Sequence, residues 1–258
     1  SLHVMPTLFP WLRMMCAIRR VVVVLPLVPV TAMMGMRLGA PGGKSMSTTG
    51  SATLRPKPVV GSRCMRKPGA AFTSLKRVAL AGGGLTDLSR YPARRGFDDL
   101  AMIVSDLALP FAWTAVTFPK QRYVWFALKD PRVLRQTVFW MSNGGRHYAP
   151  WSGRHVNVMG LEEATSYFHL GLTESARRNP LAAKGIRTCL RLNPKKPTVV
   201  NYIMSVAPIP RGFARVGAIT PAADGQSVEL RATSGRTAVA ALDLNFLGIE
   251  NLKSKPIF

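Results

Sequence analysis

The sequence predicts a mainly β fold, an antiparallel β-sandwich running over residues 79–250. Two observations carry that prediction. From about Gly82 onward, short apolar runs rich in Val, Thr, Phe, Trp and Tyr recur at close spacing, and these residue types suit a pleated, half-buried surface. Turn signals separate the runs, and only two short stretches have helical character, which favours sheet packed on sheet over a helix-covered fold.

Residues 1–78 come first along the chain and read differently. They hold eight of the twelve methionines, much Pro, Gly, Ser and Arg, and no acidic residue. Residues 1–86 carry 12 basic side chains, so about half of the net charge of +23 sits in a stretch without Asp or Glu. The segment 1–78 is expected to be a disordered basic tail, or non-native sequence of the kind that a shifted reading frame in GC-rich DNA produces. Its apolar run, Val21 to Met36, follows Arg19 and Arg20 and is broken by Pro26 and Pro29. A membrane-spanning helix needs about 20 apolar residues, so no span is expected. A signal peptide over 1–36 competes with a cytoplasmic location, which the lack of a clean cleavage site favours. Gly39-Ala-Pro-Gly-Gly-Lys-Ser45 approaches a phosphate-binding loop, but its first glycine is one position late.

The sandwich strands are placed at Leu100–Val104, Trp113–Phe118, Arg122–Leu128, Val133–Met141, Val156–Leu161, Val199–Val206, Phe213–Ile219, Ser227–Ala232 and Thr237–Leu244. Turns fall at Lys129-Asp130-Pro131, Asn143-Gly144-Gly145, Pro194 to Pro197, Pro208-Ile209-Pro210 and Ala223-Asp224-Gly225. Helices are expected at Glu162–Leu170 and Thr173–Arg178. Cys16, Cys64 and Cys189 show no disulfide or metal spacing and read as free thiols. Histidines 147, 155 and 169 match no zinc pattern, so neither metal nor cofactor is expected.

Ser142 to His155 is the stretch richest in chemistry. It holds two His, two Arg, Asn143, Tyr148 and Trp151 within a Gly- and Pro-turned loop, and loops on a rigid β scaffold are where binding groups collect. Asn143, His147, Trp151, Arg154 and His155 are the candidate ligand-binding residues. A sugar fits them, since its hydroxyls need donors and acceptors and its apolar face stacks on an aromatic ring. The competing reading is a surface loop whose histidines cap turns.

Val156-Asn-Val-Met-Gly-Leu-Glu-Glu-Ala-Thr165 resembles the strand of aldose 1-epimerases, the galactose mutarotase-like superfamily, that ends in Gly/Cys-Leu-Glu. Gly96-Phe-Asp-Asp-Leu-Ala-Met-Ile103 is similar to the family segment in which an Asp contacts sugar hydroxyls. Trp140, Gly144, Gly145, Trp151 and Gly153 resemble uncharacterised members of the superfamily. The resemblance covers roughly residues 80–245 and implies the supersandwich fold, N-terminally incomplete, with Glu162 as catalytic base and Asp98 as a sugar ligand. The family's general-acid histidine belongs to an N-terminal half that residues 1–78 do not resemble. The resemblance therefore implies either an isomerase of aldoses in which His147 or His155 replaces that acid, or a sugar-binding protein silenced by truncation. The alternative, from another class, is a basic non-enzymatic protein that binds nucleic acid or an acidic surface. The acidic residues of the sandwich region rank it second. No feature sets an oligomeric state.

Overall fold

In a computed structural model of the chain, residues 51–53, 59–60, 71–72, 74–80, 83–223 and 225–249 are described, the first three stretches as backbone only. The fold is mainly β, and every strand pairing among the described residues is antiparallel. The strands are β1 (Ser51–Thr53), β2 (Val59–Val60), β3 (Ala71–Phe72), β4 (Val78–Ala79), β5 (Leu85–Thr86), β6 (Asp98–Val104), β7 (Ala112–Phe118), β8 (Tyr123–Lys129), β9 (Gln136–Ser142), β10 (Val158–Ala164), β11 (Tyr202–Pro208), β12 (Val216–Pro221), β13 (Ser227–Ala232) and β14 (Thr237–Ala241). Among the described residues one α-helix, α1, spans Gly171–Ala176.

Each of the nine strands expected from residue 100 onward is present. The helix expected over Glu162–Leu170 is not. Glu162 and Glu163 lie inside β10, which pairs with β9 along its full length. Leu, Glu and Ala are good helix formers, but a complete ladder to a neighbouring strand outweighs that local preference. The second expected helix is shifted to α1. The boundary expected after residue 78 falls within β4, and Leu75 and Val78 are core residues. Strands β1, β2 and β3 lie within the segment read as unfolded; β1 pairs with β7, β2 with β6, and β3 with β2. Residues 1–50, and with them the phosphate-loop-like stretch, Cys16 and the apolar run, lie outside the described residues, as does Cys64. Cys189 is a free thiol.

Two sheets share the largest core. In the sheet ordered β1-β7-β8-β11, the residues Trp113, Ala115, Val124, Phe126 and Leu128 point inward. They pack with Val228 and Leu230 of β13 and Ala238 and Ala240 of β14, in the sheet ordered β12-β13-β14. The period-two alternation of these strands is what presents one apolar face to each partner.

The third sheet, β10-β9-β6-β2-β3, buries both faces of its β6–β9 centre. Its odd-numbered side chains, Ala101, Ile103, Phe139 and Met141, pack with Leu75, Val78, Leu88 and Tyr91. Its even-numbered side chains, Met102, Val104 and Val138, pack under Phe168 and Leu181 from the segment that follows β10.

A buried ion pair joins the third sheet to the first. The turn at Asp130, whose carbonyl and carboxylate accept from Leu134 and Arg132 amides, brings the end of β8 against the start of β9. Lys129 Nζ there donates to the Gln136 carbonyl and to Thr137 Oγ1, both at 2.8 Å, and to the Glu163 carboxylate. Glu163 also accepts from Thr137 Oγ1 at 2.7 Å and from Thr114 Oγ1 of β7 at 2.9 Å. The two charged side chains are 1% and 5% exposed. Desolvation pushes the Lys129 ammonium below its ordinary pKa, and the Glu163 charge opposes that shift. Burial and the same carboxylate push the Tyr202 phenol up. Because every donor of the ammonium is placed, removing one partner strands the other in a dry site. Lys129→Met should therefore lower stability by about 3–5 kcal/mol in urea unfolding, and Lys129→Met with Glu163→Leu should recover most of it. A single-variant cost below about 1 kcal/mol would show that the pair does not anchor the sheets.

Candidate functional site

The cross-strand register of β6, β9 and β10 puts four rows of even-numbered residues on one face. They are Asp98–Ser142–Val158, Leu100–Trp140–Gly160, Met102–Val138–Glu162 and Val104–Gln136–Ala164. Two segments cover this face. At one end lies the stretch after β10, held by Gln136, whose amide donates to the Arg187 carbonyl and whose oxygen accepts from the Ser166 amide. At the other end lies the loop 143–157. Glu162 and Trp140 sit in the rows between them.

The loop is pinned by its own backbone. The Gly144 amide donates to the His155 carbonyl at 2.9 Å, and the Gly153 amide to the Arg146 carbonyl at 2.7 Å. Gly153 has φ +71, which any side chain would strain. The closed loop lays Arg146, Trp151 and His155 over the sheet. The Arg146 guanidinium stands 4.5 Å from the Trp140 ring centre and 5.0 Å from that of Trp151, a double cation–π contact. Its Nε donates to Asp98 Oδ2 at 3.1 Å. The His155 ring stacks on Trp140 at 5.5 Å and meets the Trp151 ring edgewise at 4.7 Å. Ser142 Oγ lies 2.8 Å from Asp98 Oδ1 and 2.7 Å from His155 Nδ1.

Glu162 leans along β10 toward this group. A Cβ at Gly160 would lie 3.1 Å from Glu162 Oε1 and 3.2 Å from Trp140 Cε3, so glycine leaves the room in which the carboxyl rests beside the indole. Much of the residue is open to solvent, yet the carboxyl is shielded enough that desolvation raises its pKa. Desolvation lowers the pKa of His155, with the Arg146 charge adding to the effect and Asp98 opposing it. The two shifts run in opposite directions, Glu162 toward its protonated acid and His155 toward its neutral base.

Of the residues singled out from the sequence, Asp98, Trp151, His155 and Glu162 belong to this face. Asn143 does not. It is 2% exposed, and its Nδ2 donates to the Arg94 carbonyl, tying the loop to the chain before β6. Arg154 is exposed and donates to the Pro150 carbonyl within its own loop. His147 is exposed and sits beside Gly153. Ser142 and Arg146 escaped the sequence reading. The alternation of β9 through Trp140 to residue 142 would have placed Ser142 beside Trp140 on one face, had the strand been extended that far. Among the described residues, no group of three His, Cys, Asp or Glu side chains could hold a metal ion, and no helix is long and apolar enough to cross a membrane.

Comparison of the chain with known protein families, curated proteins and solved structures finds no match. The residues themselves therefore carry the functional argument.

The raised pKa of Glu162 fixes the sign of a stability effect. A folded-state pKa above the unfolded one means that ionisation costs the fold, so the penalty is absent at low pH and appears as pH rises through the folded pKa. Glu162→Gln should leave thermal stability unchanged near pH 3 and raise it slightly at pH 8, by under about 0.5 kcal/mol for so open a residue. A lower melting temperature for the variant at pH 8 would show that the carboxylate is stabilised where it lies.

Proposed function

We propose that the protein binds an aldose on the even face of β6, β9 and β10 and interconverts its anomers. One observation carries this reading. A carboxyl group (Glu162), an imidazole (His155), a carboxylate–guanidinium pair (Asp98 and Arg146) and the indole of Trp140 are gathered on one sheet face between two covering segments. Sugars call for that mixture, with charged and polar groups for the hydroxyls and an aromatic surface for the C–H face. The motif resemblance around Asp98 and Glu162 supports the same class.

Mutarotation needs a base to take the anomeric hydroxyl proton as the ring C–O bond breaks, and an acid to protonate the ring oxygen. Reclosure on the other face of the aldehyde reverses both transfers. Glu162 and His155 are the two titratable groups proposed for these roles. The resemblance makes Glu162 the base. Reclosure exchanges the roles, with Glu162 returning its proton and the neutral His155 taking one back from the ring-forming hydroxyl.

A second reading keeps one observation of its own. Between Arg177 and Lys196 there are seven basic side chains, all exposed, and no acidic one. Such a strip suits a polyanion, and its binding would weaken steeply with salt.

Polarimetry with freshly dissolved glucose and galactose tests the first reading. The wild-type chain should speed mutarotation, and Glu162→Gln should lose about a hundredfold or more of the acceleration. Gly160→Ala, which keeps ordinary strand backbone but crowds the carboxyl, should lose activity without loss of fold. No acceleration together with no sugar-induced thermal shift would discard the aldose reading. DNA binding that is strong at low salt and lost at high salt would favour the second.

A further inference from the structure

We propose that Ser142 is a positioning residue that holds His155 in its Nδ1–H tautomer, leaving the Nε2 lone pair as the proton acceptor of the site. The use of that lone pair rests on the aldose reading, whereas the tautomer itself does not.

The argument is a count of protons. Ser142 Oγ has three polar neighbours, namely Asp98 Oδ1 at 2.8 Å, His155 Nδ1 at 2.7 Å and the His155 carbonyl oxygen at 3.4 Å. The hydroxyl has one hydrogen to give. A carboxylate and a carbonyl can only accept, and the charged carboxylate at short range takes the hydrogen. The remaining contact, at Nδ1, then needs a hydrogen from the ring. A neutral imidazole carries one N–H, so Nε2 is bare. Desolvation and the Arg146 charge lower the pKa of the ring, against the pull of Asp98, and so favour its neutral form.

The surroundings leave the serine little choice. Ser142 is fully buried, in register with Asp98 on β6. Asp98 is itself held by Arg146 Nε at 3.1 Å, and the imidazole is gripped by the two indoles. The order is thus arginine, aspartate, serine, histidine. A nucleophilic serine needs the opposite arrangement, with its own proton directed at a histidine base. Here that proton is committed to Asp98, so Ser142 is a bridge and not a nucleophile. When Nε2 gains a proton, the Nδ1–H bond to Ser142 persists, and the Asp98 charge is felt through the hydroxyl.

Nitrogen-15 NMR of the full chain labelled at histidine tests this directly. There are four histidines, and loss of a signal set in His155→Gln identifies the one of interest. Above its pKa, His155 should show a protonated Nδ1 and a bare Nε2. Ser142→Ala should shift it to the Nε2–H form that an unconstrained imidazole favours, whereas Ser142→Thr should retain Nδ1–H. An Nε2–H tautomer in the wild type overturns the proposal, and so does an Nδ1–H tautomer that survives in Ser142→Ala. Should Ser142→Ala fail to fold, the wild-type spectrum still tests the proposal, because an Nε2–H tautomer there overturns it. A chain that shows the predicted tautomer but no response to sugars would sink the aldose reading and leave the positioning role standing.

Discussion

The buried pair of Lys129 and Glu163 governs which way the rest of the candidate site faces. Neighbouring side chains on a strand point to opposite faces. Once Glu163 is bound to Lys129, Thr137 and Thr114, Glu162 has to emerge on the other face, beside Val138, Gly160 and Trp140. A slip of one residue in β10 would exchange the two glutamates. It would leave the ammonium without its carboxylate, which is far more costly than any change at the open Glu162 position. The ion pair thus acts as a register lock, and the orientation of Glu162 follows from it.

The even face is organised around Trp140. His155 stacks on its ring, Arg146 lies over it, and Gly160 leaves space for the Glu162 carboxyl beside it. The loop 143–157 contributes by closing on itself through Gly144 and Gly153, so that Arg146 reaches Asp98 on the neighbouring β6. Polar and aromatic groups hold each other there. The same packing occupies part of the indole surface. On the proposed reading, a sugar would meet the edges of the cluster and the Glu162 side, where cover by the loop gives way to cover by the Phe168 segment.

The strands of the sandwich region were legible because their alternation is local, and β-branched and aromatic residues mark them. The glutamates of β10 were misread as a helix start because Leu161, Glu162, Glu163 and Ala164 favour a helix when considered alone. Pairing with β9 decided otherwise. Asp98, Trp151, His155 and Glu162 could be singled out by residue type and motif. Asn143 belongs to the same chemical vocabulary, yet it is buried against the Arg94 carbonyl, and no local signal separates a structural amide from a binding one.

The chain's residues by themselves determined a β-rich architecture, the positions of its turns and the candidate chemistry of the loop after β9, because each depends on neighbours a few positions apart. The tertiary structure alone decided that Lys129 meets Glu163, that Ser142 bridges Asp98 and His155, and that Gly160 makes room for Glu162. These contacts join residues on different strands, set by cross-strand register and by the need to neutralise a charge buried between sheets, and no short stretch of sequence encodes either.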